Sequence, residues 1–254
     1  MARLTIFLWL LLNVSICLAE QPEEKQYIEV REYRLKSADA AKQVDEYLIK
    51  ALIPALNRIG TGPVGVFREE TEQSEPIRYV VIAYSSIADF AGSASKLSKD
   101  VEYQEQAADY MARNQADSPL VRIRSELLHS FDCWPAMKVP DISKNEERIF
   151  ELRIYESSNE RFGDLKVEMF NAGEVPIFLD SGIVPIFMGQ AKLGGLMPNL
   201  TYMTVYPNQQ AKDQGWENFF RHPDWKKLSA LPKYKGSVSK VHKINLLPVK
   251  GSQL

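Results

Sequence analysis

Glu29-Val30-Arg31-Glu32-Tyr33 and Glu151-Leu152-Arg153-Ile154-Tyr155 share one pattern, Glu-apolar-Arg-x-Tyr, and lie 122 positions apart. The shift persists beyond them. Ile53-Pro54 corresponds to Val175-Pro176, Gly60 to Gly182, Pro63 to Pro185 and Tyr84 to Tyr206. A constant offset with matching Gly and Pro punctuation is the signature of an internal repeat. The chain is therefore expected to build one unit twice.

Each copy reads as β-α-β-β-α-β. In the first, Tyr27 to Leu35 alternates as a strand. Ser37 or Asp39 caps a helix whose Val44, Leu48, Leu52 and Leu56 form one apolar stripe. Val64 to Glu69 and Arg78 to Tyr84 form a hairpin around a polar Thr71 to Pro76 loop. Helices over Ile87 to Leu97 and Val101 to Ala116 follow. Val121 to Phe131 closes the unit, carrying Arg122, Arg124 and Glu126 on one face. The second copy runs from the Ile149 to Tyr155 strand through a helix ending near Asp180. Strands Pro185 to Lys192 and Leu200 to Tyr206 flank a Gly194 to Asn199 loop. Helices broken at Pro223 and a final Ser237 to Leu247 strand complete it.

This order defines an α+β chain of two tandem ferredoxin-like domains, at residues 27–133 and 149–247. A 134–148 linker carries Pro135 and Pro140, and residues 248–254 form a tail. Each four-stranded sheet has helices on one face only, so its other face needs cover. Sheet facing sheet gives a fused dimeric α+β barrel with helices outside. On that plan Ile28, Val30, Phe150, Leu152 and Ile154 pack under helices. The Glu29/Arg31/Tyr33 and Glu151/Arg153/Tyr155 sides line the space between sheets. Open sheet edges would allow a homodimer.

Residues 1–19 read as a secretory signal peptide: Arg3, an apolar Leu4 to Ile16 run, and Cys17-Leu18-Ala19 before a cut after Ala19. The mature chain is expected to be secreted or periplasmic, with no span of its own. Cleavage leaves one cysteine, Cys133, so no intrachain disulfide forms; its neighbours Trp134 and Pro135 suit a small apolar filler. With 31 basic and 33 acidic residues, nothing argues for nucleic acid.

Chemical motifs are sparse. His129, His222 and His242 are the only histidines and make no metal-ligand cluster. No nucleophile elbow, P-loop or dinucleotide fingerprint occurs, and no cofactor is implied. Asn199-Leu200-Thr201 is formally a glycosylation sequon, discounted at the start of a strand. Trp216, Phe219, Phe220 and Trp225 suit core packing or a pocket wall. The sharpest candidate pocket gathers Glu151, Arg153, Tyr155, Tyr202 and His222: arginine for an anion, tyrosine as donor, glutamate as base. The bland alternative is a buried ion pair that fixes geometry, with His222 entering a helix.

The second copy resembles the NIPSNAP family. The resemblance rests on Phe150 to Tyr155, Gly182-Ile183-Val184-Pro185-Ile186-Phe187, Pro198-Asn199-Leu200-Thr201-Tyr202-Met203 and the Trp216 to Trp225 stretch with His222-Pro223-Asp224-Trp225. The first copy keeps the opening strand but lacks the His-Pro-Asp-Trp step. The resemblance implies a dimeric α+β barrel and leaves the biochemical role open. The expected function is a non-catalytic module for a small ligand or a protein. The alternative is a cofactor-poor monooxygenase or isomerase working between the sheets. A cavity onto which Arg153 and a tyrosine converge would favour a ligand site; a packed interior would sink the enzyme.

Overall fold

The computed structural model describes residues 24–254; the expected signal peptide lies outside them. Eight strands form one closed barrel: β1 (Tyr27–Leu35), β2 (Val64–Glu69), β3 (Ile77–Tyr84), β4 (Leu120–Ser130), β5 (Ile149–Glu156), β6 (Val184–Leu193), β7 (Asn199–Tyr206) and β8 (Lys240–Pro248). Around the barrel the order is β1-β3-β2-β8-β5-β7-β6-β4. All pairs are antiparallel. The two halves do not stay separate layers. They are stitched edge to edge by short ladders, Phe67–Glu69 with Leu246–Pro248 and Leu127–Ser130 with Gly189–Leu193. Closure removes the continuous open edges through which a homodimer was expected to form.

The helices are α1 (Ala38–Tyr47), α2 (Ile53–Arg58), α3 (Ile87–Leu97), α4 (Val101–Met111), α5 (Glu160–Met169), α6 (Val175–Asp180), α7 (Gln209–Arg221) and α8 (Pro223–Ser229). Ser37, Asn159 and Asn208 cap α1, α5 and α7 by accepting from the amides of Ala40, Phe162 and Ala211, the role such side chains play at helix starts. A π-turn joins α1 to α2 at Leu48–Leu52, and another joins α5 to α6 at Phe170–Glu174. Gly60 and Gly182 follow α2 and α6 at φ 78° and 83°, the left-handed region open to glycine.

The strand faces are opposite to the sequence expectation. Ile28, Val30, Phe150 and Leu152 pack inside the barrel with Phe67, Met203 and Leu246. Phe67 and Phe150 meet edge to face across the two halves, 4.8 Å apart. Tyr33 faces the α1–α4 side with Val44, Leu48, Leu52 and Leu56. Tyr155 and Tyr202 lie under the second helical layer with Phe170, Phe178 and Phe219. The reason is room. An eight-stranded barrel is only wide enough for its own side chains to fill, which makes its interior the place most hostile to paired charge. The helical side can supply hydrogen-bonding partners.

The 248–254 tail is part of the barrel. The Gln253 amide donates to the Val64 carbonyl, and the Val249 amide donates to that of Val66. Leu254 is buried in the barrel core. The Arg148 guanidinium, just before β5, donates to the Leu254 carbonyl at 3.3 Å. The end of the barrel where β5 begins is thus plugged.

Candidate functional site

At the other end, where β5 leaves the barrel, apolar filling gives way to a cavity of about 300 Å3. Its floor is Val30, Leu152 and Ile154; Leu196 and Gly195 approach from the loop between β6 and β7. Polar groups converge from β1, β4 and β7: Glu32, Arg124, Glu126 and Thr201. The placement follows from strand alternation. Met203 and Val205 point inward, so Thr201 and Asn199 do too. Leu128 points inward, so Glu126 and Arg124 share its side.

Glu126 organises this end. One carboxylate oxygen accepts from Asn199 Nδ2 at 2.6 Å, the other from Thr201 Oγ1 at 3.1 Å. Burial raises its pKa above the ordinary carboxylate value; the bonds from Asn199 and Thr201 pull the other way, and the charge of Glu32 adds to the rise. Such a carboxyl can hold a proton and donate it, or accept one, as its occupant requires. The loop closes against it. A Cβ added to Gly194 would lie 2.8 Å from Glu126 Cγ, so only glycine allows that approach. Asn199 is buried and bonded to Glu126, which accounts for the sequon without a glycan.

Glu151, Arg153, Tyr155 and Tyr202 are brought together, but beneath the helices. Glu151 accepts from Arg153 Nη1 at 3.2 Å and from Trp216 Nε1 of α7 at 2.9 Å, with Lys212 Nζ at 3.4 Å. The Arg153 guanidinium stacks 4.0 Å over the Trp216 ring. The hydroxyls of Tyr155 and Tyr202 share a 2.8 Å hydrogen bond. Next to them Lys166 and Glu174 pair at 2.6 Å, and burial raises the Glu174 pKa against the opposing pull of Lys166. This is a structural polar layer closed by side chains from α5 and α7. In the first half Glu29 plays the same part, accepting from Arg31 at 2.6 and 2.8 Å and from the Tyr84 hydroxyl at 3.1 Å.

His222 makes its contacts elsewhere. It caps α8 by accepting from the Asp224 amide at 3.2 Å and sits 4.0 Å from Asp180. His242 bonds Glu156, and His129 stacks on Tyr27. Trp216, Phe219 and Trp225 pack with Phe178 and Phe170; Phe220 is exposed. Burial pushes the Cys133 thiol up to about 11, consistent with an inert filler. Sequence reasoning noticed Arg122, Arg124 and Glu126 on one strand face, and the loop before Asn199. It did not connect them, because only barrel closure sets β4 beside β6 and β7.

The closed α+β barrel with external helices is a fold shared with proteins of 10–12% identity. A candidate monooxygenase of Fusobacterium nucleatum superposes with a TM-score of 0.58 at 12% identity, covering 89% of this chain and 94% of that one. An anthrone oxidase-like protein gives 0.52 at 10% identity, covering 90% and 93%. Residues 150–253 match the NIPSNAP family model. A NIPSNAP-like domain protein of Burkholderia xenovorans spans 43% of this chain and 91% of its own length, at 15% identity and a TM-score of 0.39. No curated protein matches the chain in sequence.

Proposed function

We propose that this chain is a binding protein for a small molecule, held at the barrel mouth with its apolar part on Val30, Leu152 and Ile154 and its polar end toward Glu126. The observation that carries this reading is the cavity itself. It combines an apolar floor with a few convergent polar groups, the composition of a ligand site. The monooxygenase and oxidase names of the structural neighbours suggest a second reading, oxidation of such a ligand, in which Glu126 moves the proton.

The barrel is further read as a duplicated ferredoxin-like unit. The strand orders β4-β1-β3-β2 and β8-β5-β7-β6 and the two π-turns 122 positions apart support that origin. Export by the N-terminal segment belongs to the same proposal; the mass of the mature chain recovered from the producing cell tests it.

Ile154→Trp tests the site by filling the cavity floor. Native mass spectrometry of the purified protein should find a small molecule that the variant loses, while circular dichroism shows both folded. Equal occupancy in the two proteins would refute the placement.

A further inference from the structure

The cavity lining holds Arg124 with Glu32 and Glu126, and two further arginines, Arg34 and Arg122, continue the same strand faces beyond it. On β1, Glu32 and Arg34 follow Val30 on the barrel-facing side. On β4, Arg124 and Arg122 extend the side that carries Leu128 and Glu126. The register sets Glu32 opposite Arg124, and Arg34 opposite Arg122. Like charges directly opposite on neighbouring strands repel, so the Arg34–Arg122 pairing is unfavourable on its own.

Several other arginines are paired. Arg31, Arg58, Arg78 and Arg153 each lie within ion-pair distance of a carboxylate. Among the described residues, Arg34, Arg122 and Arg124 make no such pair. The Arg34 Nε is buried without a hydrogen-bond partner, as are those of Arg148 and Arg153. Arg122 and Arg124 are exposed. Three guanidinium groups thus lie on one strand pair, Arg124 at the cavity and Arg122 and Arg34 beyond it, with Glu32 and Glu126 on the same faces.

Resting on the pocket reading above, we propose that the occupant is a small amphipathic carboxylate. Its alkyl or aryl part fills the space over Val30, Leu152 and Ile154. Its carboxylate meets Arg124 at the rim, with Arg122 and Arg34 adding to the field. A guanidinium fork matches a carboxylate with two parallel N–H···O bonds. The raised proton affinity of Glu126 reduces the repulsion such an anion would meet deeper in the cavity.

Calorimetric titration with octanoate, octanol and octylammonium tests this. All three share one chain and differ in head charge. Octanoate should bind roughly tenfold or more tighter than octanol, because the carboxylate adds an opposite charge and a second parallel bond to the guanidinium. Added salt should shrink that advantage. The Arg122→Gln/Arg124→Gln double variant changes two exposed side chains; it should lose the preference for octanoate over octanol while circular dichroism shows it folded. Equal binding of octanoate and octanol, or tighter binding of octylammonium, would overturn the carboxylate assignment. So would a preference that survives in the double variant. In those cases octanol binding that disappears in Ile154→Trp would leave the pocket reading intact. Failure of all three probes to bind would remove both.

Discussion

Glu29 and Glu151 stand 122 positions apart in matching Glu-apolar-Arg-x-Tyr segments, yet their removal should not cost the same. Glu151→Ala would strip the counter-charge from Arg153 and Lys212, whose side chains are 5% and 9% exposed, and leave the Trp216 N–H without its acceptor. Breaking a buried pair by deleting one partner costs roughly 3–5 kcal/mol, because the surviving charge is stranded away from water. We expect about 4 kcal/mol here, a fall in Tm of roughly 8–16 °C for a chain of this size. In Glu29→Ala the stranded cation is Arg31, 22% exposed. Water can reach it, and the main loss is a set of hydrogen bonds including that of Tyr84. About 2 kcal/mol is expected. Urea unfolding followed by circular dichroism measures both. A cost for Glu29→Ala equal to or greater than that for Glu151→Ala would refute the reasoning. A Glu151→Ala cost below about 1 kcal/mol would mean that its partners are solvated, and hence that the assignment of strand faces is wrong.

Glu126→Gln should raise Tm near neutral pH and leave it unchanged near pH 4. The native pKa of Glu126 lies above its unfolded value, so the wild-type native state holds more protons and loses stability as pH rises through the window between the two; equal Tm at both pH values would contradict this. Leu254→Ala should cost about 2–5 kcal/mol, the range for deleting a leucine side chain from a packed core, because Leu254 fills the barrel end beside Phe67. A change of under about 1 kcal/mol on denaturation would show that the tail does not plug the barrel.

Much of the scaffold was legible before any coordinates. Ser37 caps α1, the Thr71 to Pro76 loop joins β2 to β3, and His222 opens α8, because caps, turns and period-2 alternation are local effects. The candidate site was legible only in pieces. Glu126 is 73 positions from Asn199, and no short-range pattern links a strand of one half to a loop of the other. The Glu-Arg-Tyr pattern drew attention for its chemistry, and it belongs to the polar layers beneath the helices.

Alternation by itself determined that Val30 and Leu152 oppose Arg31 and Arg153 on their strands. It could not determine which side faces in. For an open sheet the apolar side belongs under helices, and that rule led to the inverted expectation. Closure through the β2–β8 and β4–β6 ladders created an interior filled over much of its length by apolar side chains and out of reach of helix-borne partners, so the apolar side turned inward. Trp216 and Lys212 then met Glu151 from outside. The same closure carried Arg122, Arg124 and Glu126 to the rim of the cavity. The sequence thus determined the strands and their two faces; the tertiary structure decided which face is the core, and with it where a ligand can sit.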